Sequence, residues 1–195
     1  MNDVDNLLGS YRRILLSANK KLNLVSRSSV DKLLPSLIQE SLIPLSWRGC
    51  SVASPLLDVG TGGGLPGIPL KISRPELSVV LLDSNRKKVL FLKSAIRELS
   101  LTNTEAIWMR CEEFADLQEN QCMFATVTAR GVGDFDLLIK SAAKLLKPMG
   151  ELIVWLSDVP LKRDDLWQYF EEPKRLEAGE GLILLNFRRN ELPVN

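Results

Sequence analysis

Four glycines stand within five residues, at Gly60, Gly62, Gly63 and Gly64, directly after an apolar run that carries Asp58. Residues without a Cβ let backbone approach a ligand closely, and a cluster this dense exceeds what a tight turn requires. The string Gly62-Gly63-Gly64-Leu65-Pro66-Gly67 also satisfies the GxGxxG spacing of dinucleotide sites. Asp58 separates two ligand chemistries. A dinucleotide lays its pyrophosphate on the loop amides and on the N-terminus of the following helix, where a carboxylate two residues before the first glycine repels it. At ~6 Å and an effective dielectric of ~20, that repulsion is about 3 kcal/mol. The same charge suits S-adenosylmethionine (SAM), which brings an α-ammonium and a sulfonium and no phosphate. Asp83 closes the next apolar run and can accept hydrogen bonds from two ribose hydroxyls, a task either cofactor sets. The competing readings are local: Asp58 as a loop or helix cap, and Asp83 as the N-cap of a helix starting near Arg86.

The residue types that are missing narrow the chemistry further. The 195 residues include no His, which removes His-based triads, His-ligated zinc and a His general base. Cys50, Cys111 and Cys122 form no CxxC pair, and three reduced thiols in a cytoplasmic protein are expected. No metal is expected. Lys plus Arg total 25 against 24 for Asp plus Glu, so net charge favours no partner. The first residues carry early acids and no apolar run, unlike a secretory signal, and nothing approaches the ~20 apolar residues that span a bilayer.

The elements that position these residues follow from periodicity. Val4, Leu7, Leu8, Tyr11, Leu15 and Ala18 predict an amphipathic helix over about residues 4–19. Val30 to Leu45 carry a second stripe, with Ser28 or Ser29 as a cap and Pro35 setting a later start or a bend. Strands are predicted at Pro55–Val59, Val79–Asp83, Ala106–Met109, Phe124–Ala129, Glu151–Leu156 and Leu182–Phe187, with helices at Arg86–Leu99 and Phe135–Leu146. Apolar strands alternating with helices predict a doubly wound, Rossmann-like α/β sheet, mostly parallel and covered on both faces. The expected organisation is a helical N-terminal extension over 1–50 and a cofactor-binding domain over 51–195.

At DVGTGGGLPGIPLKISRPE (Asp58 to Glu76) and LLDSNRKKVLFLK (Leu81 to Lys93), the sequence resembles the bacterial glucose-inhibited division protein B family. Those proteins are guanine-N7 methyltransferases of 16S ribosomal RNA with a class I SAM-dependent fold. RCEEF (Arg110 to Phe114), TAR (Thr128 to Arg130) and NKKLNLVS (Asn19 to Ser26) extend the resemblance over roughly residues 10–157. By position it implies SAM contacts at Gly60, Leu65, Cys111, Glu112 and Arg130, beside the Asp58, Gly62, Gly64 and Asp83 read from the residues themselves. The Cys111 amide and the Glu112 carboxylate suit the amino-pyrimidine edge of an adenine. Arg130 suits the carboxylate of SAM or an RNA phosphate, or else a structural ion pair with Asp58 or Glu112. Two segments depart from the family pattern. Leu37-Ile38-Gln39-Glu40-Ser41 stands for its His-Ile-x-Asp-Ser, and Ser157-Asp158 for its Lys-Gly after the fifth strand.

The implied reaction needs no base. Guanine N7 has a free lone pair and no proton to lose, so catalysis is orientation plus electrostatics, and no residue is expected to act as acid or base. An aromatic stacking on the target base is sought in Trp155 first, then in Trp108 and Phe135, with core packing as the alternative for each. RNA docking is expected at Arg12-Arg13, Lys20-Lys21 and Arg27, and at Arg86-Lys87-Lys88 with Lys93 and Arg97. Glu112 to Asp136, Asp164-Asp165 and Glu171-Glu172 lean acidic. A monomer is expected. The alternatives are a SAM-dependent methyltransferase with another substrate, a NAD-dependent oxidoreductase and a non-catalytic RNA-binding protein.

Overall fold

In the computed structural model, residues 3–25, 30–131, 133–157, 168–178 and 181–191 are described. Helices α1 (Asp3–Leu22) and α2 (Val30–Leu42) come first. The alternation follows: β1 (Leu56–Val59), α3 (Gly67–Ser73), β2 (Val79–Asp83), α4 (Arg86–Glu98), β3 (Thr104–Trp108), α5 (Cys111–Asp116), β4 (Phe124–Arg130), α6 (Phe135–Leu145) and β5 (Leu146–Leu156). The described chain closes with β6 (Lys174–Glu177) and β7 (Ile183–Arg188). The seven strands lie in the order β3-β2-β1-β4-β5-β7-β6, parallel from β3 to β5, with β7 antiparallel to β5 and β6 antiparallel to β7. This is the doubly wound, mostly parallel sheet that the sequence predicts.

Alternate residues of each strand face opposite layers. Leu56, Val79, Leu81, Ile153 and Trp155 share one core with Tyr11 and Leu15 of α1, Leu34 and Ile38 of α2, Ile68 and Leu70 of α3, and Val89 and Leu92 of α4. Leu57, Val59, Leu82, Val127, Ala129 and Val154 share the other with Phe114 of α5 and with Leu138 and Ile139 of α6. Helices α1 and α2 thus bury their apolar faces in the same core as the sheet.

Pro35 lies inside α2, which starts at Val30; it sets no later start. Proline cannot donate to the carbonyl four residues back, and the Arg12 guanidinium reaches that Asp31 carbonyl instead, at 3.4 Å. Ser28, Ser29 and Arg27 lie outside the described residues, as do Asp158, Asp164 and Asp165. Among the described residues, no helix is long and apolar enough to cross a membrane.

Candidate cofactor site

Parallel register brings the functional positions to one edge of the sheet. Val59 sits beside Leu82 and Ala129, Asp83 beside Trp108, and Arg130 beside Trp155. Gly60, Asp83, Met109 and Arg130 therefore all stand at the carboxyl ends of their strands, where open α/β sheets take ligands. A cavity of about 290 Å³ opens there. Its walls include Gly60, Asp83, Cys111, Glu112 and Asp134.

The glycine loop is held from beneath by carboxylates. Gly60 and Gly62 have φ of +64° and +59°, a backbone that side chains resist. Gly62 donates its N–H to Asp83 Oδ2 at 2.9 Å, while Asp83 Oδ1 accepts from the Asn85 amide at 2.8 Å. The N-cap of α4 is Asn85, whose side chain accepts from the Lys87 and Lys88 amides, so Asp83 does not fill that role. A carboxylate offers about four acceptor positions. One of those on Asp83 holds the loop and one holds the start of α4, which leaves the rest as acceptors at the cavity wall.

Asp58 behaves differently. It is fully buried, and both oxygens are engaged by the protein. Oδ2 accepts from the Thr61 hydroxyl at 2.5 Å and from the Gly67 amide at 2.9 Å, and Oδ1 accepts from the Thr128 hydroxyl at 2.9 Å. The cavity wall does not include it. Direct contact with a cofactor is thereby replaced by an organising role: Asp58 ties β1 to β4 and to the first residue of α3. A Cβ on Gly67 would lie 2.8 Å from Asp58 Oδ2 and 2.5 Å from Leu81 Cδ2, so glycine there is a packing requirement. Burial raises the Asp58 carboxyl from 3.8 to about 6, with the hydrogen bonds from Thr61, Thr128 and Gly67 pulling the other way.

Gly64 and Leu65 serve the loop's underside. Leu65 is buried in the core. A Cβ on Gly64 would come within 2.5 Å of Ile68 Cδ1. Neither reaches the cavity wall as the side chains stand. The N-terminal helix holds this underside: the buried Tyr11 hydroxyl donates to the Gly63 carbonyl at 2.9 Å. Asn19, also buried, accepts the Val25 amide at 2.8 Å and so turns the chain after α1 back toward the loop.

Cys111 and Glu112 open α5 at the cavity and are half-buried. Burial, with a smaller push from Glu112, holds the Cys111 thiol up at about 11, protonated and unreactive. Arg130 has a partner that neither local reading named. Its guanidinium pairs with Glu40 of α2 and donates to the Leu37 carbonyl at 3.3 Å, away from Asp58 and Glu112. The departure segment Leu37 to Ser41 is thus the part of α2 that meets the end of β4. Trp155 adds to it by donating its indole N–H to the Glu40 carbonyl at 3.0 Å.

The pairing of Glu40 with Arg130 predicts a coupling. Glu40→Ala should cost about 2 kcal/mol in urea denaturation, because it strands a mostly buried guanidinium. In a cycle with Arg130→Ala the two losses should fall short of adding by about 1–2 kcal/mol. Additive losses would show that the pair does not hold α2.

Trp155 is only 2% exposed, packed in the core, so it cannot stack on a base. Phe135 is half-buried with its ring 6.1 Å from that of Phe187. Trp108 alone of the three stands open. Ser157 is exposed at the end of β5.

Residues 5–162 match the family described as rRNA small subunit methyltransferase G. A protein of that name from Carboxydothermus hydrogenoformans is 36% identical over 149 residues, covering 76% of this chain and 63% of the relative. One from Chlorobaculum tepidum is 40% identical over 147 residues, covering 75% and 65%. The chain therefore spans a little under two thirds of the length of these relatives. Among solved structures, an O-methyltransferase family protein from Burkholderia thailandensis superposes with a TM-score of 0.65 at 14% identity, over 82% of this chain and 58% of that one. A mutant of MtNAS in complex with S-adenosylmethionine gives 0.60 at 14% identity, over 95% and 72%. At such identities the likeness concerns the fold.

Proposed function

The chain belongs to the rRNA small subunit methyltransferase G family, and from that membership we propose that it transfers a methyl group from SAM to N7 of a guanine in 16S ribosomal RNA. The observation that carries the cofactor is the seat of Asp58. The first amide of α3, a donor that a pyrophosphate would use, already serves a buried carboxylate. What faces the cavity is acidic, with Asp83, Glu112 and Asp134 against Arg110. That lining suits a cationic, phosphate-free cofactor and opposes a dinucleotide.

When bound, SAM supplies an electrophilic methyl group on a positively charged sulfur. The chain's own work is to bind and orient. Asp83 has acceptor capacity for the two ribose hydroxyls. The Gly60 backbone, without a side chain in the way, lines the path of the methionine portion. The Cys111 amide and the Glu112 carboxylate offer a donor and an acceptor to the adenine edge. Arg130 is outside the cavity wall and, through Glu40 and Leu37, fixes α2 against the end of β4. Because N7 carries a lone pair and no proton, the chain needs no base, and its lack of His costs nothing. For RNA, Arg13 and Lys21 line a groove of about 690 Å³ between α1 and α4, a basic approach on the helical face. A cytoplasmic monomer acting on the small subunit fits these features.

The test is transfer of labelled methyl from SAM to small ribosomal subunits of a strain lacking the protein, followed by cleavage selective for N7-methylguanine. Label at one guanine is expected. Tight SAM binding without label would move the substrate elsewhere, and no SAM binding would overturn the reading.

A further inference from the structure

Among the described residues Trp108 is the one exposed aromatic side chain, at 56% exposure, and the other described rings are buried or half-buried. It ends β3, the edge strand, beside the cavity but not in its wall. The ring is fixed from two sides. Its indole N–H donates to the Ser84 carbonyl at 2.9 Å, and the Arg86 guanidinium lies 5.5 Å from the ring centroid. Ordering an exposed indole in this way keeps a flat apolar face in water with little freedom left to lose on binding. Arg86 and Lys87 are exposed beside it at the start of α4, while Arg110, 67% exposed, follows β3 and pairs with Glu112 at 4.0 Å on the acidic cavity side.

We propose that Trp108, with Arg86, is a stacking platform for an unpaired RNA base, so that the β3 edge is a second point of contact with single-stranded RNA. A held aromatic face stacked with an exposed guanidinium, next to a second exposed cation at Lys87, is the chemistry that takes a π-faced, polyanionic strand. The base is not the one methylated. At about 4.8 Å per strand, Trp108 lies about 10 Å across the sheet from the end of β1, where Gly60 lines the path of the methionine portion. A nucleotide flanking the target fits that distance. The inference rests on the RNA reading of the preceding subsection and adds a subsite that the family match does not supply.

Binding of labelled oligo(rA), and separately of small ribosomal subunits, should be compared for the unsubstituted protein, Trp108→Ala, Trp108→Phe and Arg86→Ala, with SAM affinity measured alongside. Trp108→Ala should bind RNA about tenfold more weakly or worse, while Trp108→Phe recovers most of the loss by keeping a ring. The salt slope should stay unchanged in Trp108→Ala, which removes no phosphate contact, and SAM affinity should hold in both Trp108 variants. Arg86→Ala should reduce the salt slope by about one. Unchanged RNA affinity in Trp108→Ala, or no recovery in Trp108→Phe, overturns the platform. So does an unsubstituted protein that binds neither RNA. Failure of methyl transfer with the Trp108 effect intact would instead count against the reaction alone.

Discussion

Asp83→Ala should abolish measurable cofactor binding or weaken it by two orders of magnitude or more in calorimetric titration with SAM. The side chain does two things at once. In the proposed function it supplies the acceptors for a ribose diol, and it anchors the glycine loop through the Gly62 amide and the start of α4 through the Asn85 amide. Hydrogen bonds to a charged group are worth about 1.5–3 kcal/mol each, and two lost together amount to at least a hundredfold. The loop and the start of α4 lose their anchor as well, since two N–H groups are left without their acceptor. Asp83→Asn keeps one oxygen and should fall between. A dissociation constant within about threefold of the unsubstituted value would remove Asp83 from the site.

The second large effect concerns stability and its pH dependence. Asp58→Ala should destabilise by about 3–5 kcal/mol, because the Gly67 amide and two threonine hydroxyls lose their acceptor inside the core. Asp58→Asn should not. An amide oxygen can accept from Thr61 and Gly67 while the amide nitrogen donates to the Thr128 hydroxyl, and no charge is buried. The raised carboxyl value, about 6 against 3.8, means that the folded protein holds this proton more tightly than the unfolded chain. The contribution of Asp58 is therefore full below about pH 4, falls as pH rises to about 6, and is constant above. The total change is about 3 kcal/mol. Urea denaturation between pH 4 and 7 should show the unsubstituted protein losing that amount relative to Asp58→Asn. Parallel curves for the two would mean that the carboxylate is no harder to ionise in the core than in water.

The glycine loop was readable because its residue types have few other uses, and the apolar strands because burial on both faces leaves unbroken hydrophobic runs. Other parts carried no local signal. Strand β6, Lys174–Glu177, has two basic residues, one apolar residue and one acid, and pairs only with β7. A charged edge strand has no buried face to write a pattern. The partner of Arg130 was invisible for a different reason. Glu40 lies 90 residues away, and acids much nearer in the chain, such as Glu112, offered partners that its sequence could not separate from Glu40. The two tryptophans show a limit that is topological. Trp155 sits in an apolar run, Leu152 to Leu156, whose burial was legible. Trp108 sits in a mixed run, and its exposure follows from β3 being at the edge, which depends on strand order rather than on local sequence. The role of Asp58 lies between these cases. Its carboxylate was legible as an oddity at the end of β1, whereas its partners, the Gly67 amide and the Thr61 and Thr128 hydroxyls, are set by the fold.

The bond from Tyr11 to Gly63 spans 52 residues, and that from Trp155 to Glu40 spans 115. Synthesis runs in one direction, so α1 and α2 leave the ribosome before the sheet and helices that share their core. At ~5–20 residues per second, the interval between making Glu40 and making Trp155 is roughly ten seconds. Isolated helices of this length are marginal in water, and long-range contacts are slow to close. Helix α1 therefore waits for the glycine loop, and α2 for the ends of β4 and β5, before either is fully held.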